Sequence, residues 1–263
     1  MQSRSQAQAQ AQPRSGTQSV ERAIRVLREV AARHESGARL TDLAQRCELD
    51  MGTTRRILAC LVRERMLNQR DTDRRYLPGP LLFELGLTAP SYRCLLDACR
   101  APMEELARRL QGAAFVYVRS GADATCLARH DHVTIASAWA QPGTRKPIAS
   151  LAAGIAMLVE MRRAEADSLV KEYLRRLQAA GDDRIEERRR MLRRSRQFGF
   201  GLSDGKVAHG LVAVAVAVRD AHGEPFASLC FVSADGPYAD NRLQRIAIAL
   251  REQAGFIRTA LAE

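Results

Sequence analysis

Between Ser19 and Leu77 the apolar residues form three short helical stripes and then switch to two extended segments around an Asp-rich turn; no other feature restricts the chain as much. Val20, Ala23, Ile24, Leu27, Val30 and Ala31 recur at the spacing of one helix face, which predicts an amphipathic helix to about Arg33. After a break at His34–Gly37 comes a short second helix, with Thr41 as N-cap and Leu43, Ala44 and Cys47 facing inward. A third helix opens at Asp50, capped by that residue or by a neighbouring threonine, and buries Thr54, Ile57, Leu58 and Leu61. Met66–Arg70 and Arg74–Leu77 flank Asp71-Thr72-Asp73 as a hairpin, which Pro78-Gly79-Pro80 ends.

Three short helices followed by a hairpin make the pattern of a winged helix-turn-helix, in which the third helix buries one face and offers the other to a major groove. On the helical wheel Gly52, Thr53, Arg55, Arg56 and Ala59 lie outside. Small and hydrogen-bonding groups at a helix N-terminus suit phosphate, because free N–H groups and the helix dipole act together there. Arg55 or Arg56 suits a guanine edge, and Thr53 a phosphate or a thymine methyl. Arg74 and Arg75 suit the backbone or the minor groove. The candidate DNA contacts are therefore Gly52, Thr53, Arg55, Arg56, Arg74 and Arg75, with double-stranded operator DNA as partner. Simple solvation of a helix face would explain any one of these arginines, but it explains the ordered set poorly.

The charge balance alone does not choose that partner. Lys+Arg number 41 against 30 Asp+Glu, and only Lys146, Lys171 and Lys206 are lysines, so 38 of the 41 are arginine. A polyanionic partner and a codon bias toward arginine explain the excess equally well. The surplus is also spread, at +5 over residues 1–88 and +6 over 89–263. No apolar run approaches the roughly 18 residues of a membrane span. MQSRSQAQAQ lacks the apolar core of a secretory signal, so the cytoplasm is the expected location and a membrane is not an expected partner. The six cysteines contain no C-x-x-C pair and are expected to be small buried apolar residues. No nucleophile–base pair, phosphate loop or metal-ligand set is spelled out, so neither catalysis nor a cofactor is expected. His130-Asp131-His132 lacks a third ligand and is read as a solvated loop.

Residues 1–18, rich in Gln and Ala, are expected to be a flexible tail, followed by the winged module at 19–79 and a linker helix at 80–90. The remainder, 91–263, mixes element types. Helices are expected at Ser91–Leu110, Leu151–Met161, Ala164–Leu177 and Ile185–Gln197, with a closing helix through Leu243 and Leu261. Strands are expected at Phe115–Arg119, Thr125–Ala128, Val133–Ala138, Leu211–Val218 and Phe226–Val232. That order implies an α+β fold, a sheet with helices on its faces. Trp139 is assigned to the core. The arginines between Arg188 and Arg196 are assigned to a solvated helix face balanced by Asp182, Asp183, Glu186 and Glu187.

SVERAIRVLREVA, followed by LTDLAQRCELDMGTTRRILACLVRERML and RRYLPGPLLFELG, resembles the DNA-binding domain of the IclR family of bacterial transcription regulators. Tyr76-Leu77-Pro78-Gly79-Pro80 with Leu85-Gly86 is the most distinctive part, and Arg65 departs from it where the family usually has Gly. Residues 91–263 resemble, more weakly, the family's GAF-like effector-binding domain. Arg145-Lys146-Pro147-Ile148 and Ala152-Ala153-Gly154-Ile155-Ala156 align with the loop and helix start that bound its pocket. Gly199-Phe200-Gly201, Gly210 and Leu211–Val218 align with the second half of that domain.

The resemblance implies a transcription regulator controlled by a small organic-acid effector and acting as a homodimer or tetramer. It implies Ala152, Ala153, Gly154, Ser203, Asp204 and Cys230 as effector contacts. Ile155 stands where the family usually has Lys, and Lys206 lies in a segment that is usually acidic, so an effector with one acidic group and an apolar body is expected. The rival readings are an enzyme and a ligand-free dimerisation module.

Overall fold

The computed structural model describes residues 17–88, 90–133, 135, 140–204, 210–236 and 238–262. Most of the expected tail, Trp139 and Lys206 lie outside the described residues. The chain divides into two compact units, one ending at Thr88 and the other beginning with residue 89.

The N-terminal unit runs α1 (Gln18–Ala31), α2 (Leu40–Arg46), α3 (Met51–Arg63), β1 (Leu67–Gln69), β2 (Tyr76–Pro78) and α4 (Pro80–Leu87). Val26 and Val30 of α1, Leu43 of α2, Leu58 of α3 and Leu67 and Tyr76 of the hairpin bury into one core. The hairpin is antiparallel, with Leu67 opposite Pro78, and Ala38 bridges to Tyr76 as a short third partner. Helix α2 starts one residue before Thr41, so Arg39 and not the threonine occupies the cap position, without a capping side chain. At α3 the Asp50 carboxylate accepts from the Thr53 N–H at 2.8 Å. Thr54 is fully buried because its hydroxyl donates to the Asp50 carbonyl at 2.9 Å. Helix α3 ends as a glycine would end it: Arg65 sits at φ 59°, and the Met66 N–H returns to the Leu61 carbonyl at 2.9 Å. An L-residue there carries strain of about 1 kcal/mol.

The C-terminal unit runs α5 (Pro90–Leu110), β3 (Ala113–Ser120), β4 (Asp123–Asp131), β5 (Arg145–Pro147), a 3-10 turn (Ile148–Ser150), α6 (Ala152–Glu160), α7 (Arg163–Ala179) and α8 (Ile185–Phe198). It closes with β6 (Gly201–Asp204), β7 (Val212–Arg219), β8 (Pro225–Ser233) and α9 (Asp240–Ala262). The strands form one sheet in the order β5-β4-β3-β8-β7-β6, and every neighbouring pair is antiparallel. His130 and Asp131 belong to the end of β4 and not to a loop. β5 and β6 are strands that hydrophobic patterning did not mark. The strand expected at Val133–Ala138 falls mostly outside the described residues.

The two faces of the sheet have different chemistry. In β7 Val212, Val214, Val216 and Val218 pack under α5 and α9, while Ala213, Ala215 and Ala217 face the α6 side. Small side chains on that side let α6 come close. A Cβ on Gly201 of β6 would lie 1.9 Å from the Ala152 carbonyl oxygen, so this strand admits only glycine beneath the helix start.

Candidate functional site

The exposed face of α3 and the hairpin enclose an open concave surface of about 860 Å³. Arg55 and Ala59 of α3 and Arg74 of the hairpin line it, as expected. Arg39 and Thr41 at the start of α2 and Arg63 in the last turn of α3 line it too, and sequence reasoning missed all three. Arg63 could have been found by continuing the wheel, since it lies eight residues after Arg55. Arg39 and Thr41 needed the fold, which sets the start of α2 beside the middle of α3.

Gly52 and Arg56 are exposed on the neighbouring part of α3. Arg56 donates to the Thr53 hydroxyl at 3.3 Å, and the Thr53 N–H is already taken by Asp50. Hydrogen bonding by that N–H holds the Asp50 carboxyl below its usual range, so the cap stays ionised at neutral pH. Arg75, unlike Arg74, is turned inward. Its guanidinium lies 3.2 Å from Asp73 and donates to the Ser36 carbonyl at 3.1 Å.

In the C-terminal unit the start of α6, the ends of β6 and β7, and the middle of β3 and β8 surround a cavity of about 60 Å³. Ala152, Ala153, Ser203 and Cys230 line it, together with Tyr117, Leu151, Leu211 and Val232. Gly154 and Asp204 are not part of its lining. A Cβ on Gly154 would meet the Ile148 carbonyl oxygen at 1.9 Å, so this glycine serves the close turn into α6. Asp204 follows Ser203 on the strand and so faces the other way. Arg194 and Arg190 of α8 hold its carboxylate at 3.2 and 3.4 Å.

Ile155 is buried in the core behind the helix and does not reach the cavity, so it does not form the apolar wall expected of it. The space is enough for a few heavy atoms.

Three polar features face or border this cavity. The first hydrogen bond within α6 runs from the Ile155 N–H to the Leu151 carbonyl at 3.0 Å, so the N–H groups of Ala152, Ala153 and Gly154 have no partner inside the helix. The Ser203 hydroxyl is buried, 6% exposed, and has no hydrogen-bond partner. Arg188 of α8 donates to the Ser150 carbonyl at 2.9 Å, just ahead of the helix. The thiols are neutral: burial pushes Cys126 up to about 12 and raises Cys230 as well. Cys47 and Cys99 are buried as expected, whereas Cys60 and Cys94 lie exposed on helix surfaces.

The arginines of α7 and α8 mostly find acids. Asp167 takes Arg163 and Arg196, Glu172 takes Arg175 and Arg176, and Asp182 takes Arg184. Among the described residues no group of His, Cys, Asp and Glu could hold a metal ion.

Residues 91–259 match the model of the family described as bacterial transcriptional regulator IclR C-terminal, and residues 19–71 match the IclR helix-turn-helix domain. The chain belongs to the IclR family. It is a DNA-binding transcriptional regulator. It is 24% identical over 251 residues to the HTH-type transcriptional regulator BhcR of Paracoccus denitrificans, covering 93% of this chain and 87% of that one. The fold is similar to that of an IclR family transcriptional regulator from Brucella abortus, with a TM-score of 0.76 at 20% identity over 97% of this regulator and 96% of that chain. It is also similar to an IclR homolog from Microbacterium hydrocarbonoxydans that was crystallised with 4-hydroxybenzoate. There the TM-score is 0.70 at 23% identity, over 93% of this regulator and 99% of that chain.

Proposed function

We propose that this regulator reads its operator with Arg55 and Arg56 of α3, with Gly52 and Thr53 close to the backbone and Arg74 and Arg39 on phosphates. We further propose that a small organic acid in the C-terminal cavity controls that binding. The observation that carries the effector half is the Ser203 hydroxyl, buried without a partner in a cavity beside the unbonded N–H groups of Ala152 and Ala153. A carboxylate would accept from those N–H groups and from the hydroxyl, and Leu151, Leu211 and Val232 would cover its carbon chain. Gly154 and Asp204 support this site indirectly, through the turn and through α8, and Cys230 contributes a neutral wall. The Microbacterium homolog's 4-hydroxybenzoate supports the class of ligand. The chain is read as a cytoplasmic regulator with no catalytic role. No helix among the described residues is long and apolar enough to cross a membrane.

The working form is read as a homodimer, alone or paired into a tetramer. A single winged module covers a half-site, and two-fold protein symmetry is mirrored in the DNA. Helix α4 supplies an apolar surface for it: none of its residues is buried, and Phe83, Leu85 and Leu87 are 70%, 51% and 54% exposed.

Thermal unfolding of the full chain against glyoxylate, pyruvate, benzoate and 4-hydroxybenzoate tests the effector, and footprinting with and without the active acid tests control. Stabilisation by one acid that also changes operator occupancy is expected. No response to any of them, or stabilisation without a change in footprint, would remove the effector role.

A further inference from the structure

Asp73 lines the concave surface between α3 and the hairpin, and among the described residues it is the one acidic side chain that does so. An acid facing DNA is a cost unless it does something there. Its carboxylate holds Arg70 in a two-point contact, Nε at 2.9 Å and the terminal nitrogen at 3.0 Å, and Arg75 lies 3.2 Å away. Both guanidiniums also donate to the Ser36 carbonyl in the connection between α1 and α2, at 3.0 and 3.1 Å. Hydrogen bonding from Arg70 keeps the Asp73 carboxyl below its usual range, so the carboxylate stays charged at neutral pH. Of the three arginines around the turn, only Arg74 keeps its charge in the concave surface without a partner.

We infer that Asp73 sets how strongly this regulator holds DNA of arbitrary sequence: by drawing Arg70 and Arg75 against the α1–α2 connection, it leaves Arg74 as the wing's one cation for phosphate. Binding to non-operator DNA is almost wholly attraction to phosphates, and each cation that engages one multiplies that affinity and steepens its salt dependence. A regulator surrounded by non-operator DNA loses free protein to such contacts, so a residue that withholds two cations raises the share left for the operator. The inference rests on the proposed reading that the hairpin faces DNA.

The test is binding of the full chain to a mixed-sequence duplex, followed by fluorescence anisotropy over a range of NaCl. D73N should bind about tenfold more tightly near 0.1 M salt and steepen the slope of log K against log salt by about one. Adding R70Q to D73N should return both part-way to the parent, while R70Q alone should change neither. Unchanged or weaker binding by a folded D73N overturns the inference. If D73N does not fold, R70Q carries the test by itself: a loss of affinity as large as that of R74Q would mean Arg70 already reaches phosphate and the inference is wrong. If R74Q also binds like the parent, the hairpin does not face DNA and the underlying reading falls instead.

Discussion

Replacing Ser203 with alanine should make the empty protein more stable and its response to the effector weaker. A hydroxyl buried without a hydrogen bond costs about 1–3 kcal/mol, and Ser203 has no partner while only 6% exposed. Ser203→Ala removes that cost and only one oxygen's worth of packing, so a gain of about 1 kcal/mol is expected. For a unit of this size the gain raises the unfolding midpoint by about 2–4 °C. If the effector's carboxylate uses that hydroxyl, its loss costs about 1.5–3 kcal/mol of binding, roughly a 10- to 150-fold rise in Kd. Ser228→Ala is the control. Its hydroxyl is also buried and unpartnered, but it sits opposite Tyr117 and Ala217 in the sheet and outside the cavity lining. It should give the same gain in stability and no loss of ligand response. Thermal unfolding of the three proteins across a concentration series of the active acid reads both quantities together. A Ser203→Ala protein less stable than its parent when empty, yet equally responsive to the acid, would refute the reasoning on both counts.

Arg55→Ala should weaken operator binding by about 1–3 kcal/mol if that arginine reads a base pair, whereas Arg74→Ala should weaken all sequences alike and lower the salt slope by about one unit; titrations on operator and mixed-sequence duplexes separate the two. At position 65, Gly should be more stable than Ala by about 1 kcal/mol in denaturant unfolding, because Ala keeps the left-handed strain while both lose the 2.7 Å ion pair with Glu84. The order reversed would show that the backbone relaxes there. Phe83→Asp should leave the unfolding of the single chain unchanged and shift the protein toward monomer in sedimentation, since the side chain is 70% exposed without a partner copy. A dimer that persists unchanged would remove α4 from the self-contact.

What could be read from the sequence was what depends on neighbours along the chain. The outward face of α3 follows from helical spacing, so Arg55, Arg56 and Ala59 were placed correctly by the wheel, and the same wheel would have exposed Cys60. The composition argument for buried cysteines failed at Cys60 and Cys94 because it ignored which helix face each occupies. Contacts between distant residues could not be read. Arg75 is turned inward by Ser36, nearly forty residues earlier, and by Asp73. The family alignment marked Ser203 and Asp204 together, but a strand has a side-chain period of two, so only one of them can face the cavity. It marked Gly154 and Ile155 as pocket positions, whereas packing of α6 on the 3-10 turn and the core occupies both. The alternation of valine and alanine in β7 was visible as a strand, but which face would receive α6 was decided by Gly201 and the small residues around it.

Backbone strain separates the two arginines that break a local rule. Among the described residues four that are not glycine have positive φ: Glu48, Arg65, Arg74 and Gln111. Three of them follow helix ends, after α2, α3 and α5, where a left-handed residue closes the last turn and returns the chain. Their side chains need no special role to account for the conformation, and Arg65 gains an ion pair with Glu84 besides. Arg74 stands in the hairpin turn, at φ 58°, where glycine or asparagine would cost less. Its side chain has no partner to offset the strain and lies in the concave surface with Arg39 and Arg55. The phosphate contact proposed for Arg74 would offset strain of about 1 kcal/mol. On that proposed reading the guanidinium meets phosphate, which would account for an arginine where the geometry of the turn favours glycine.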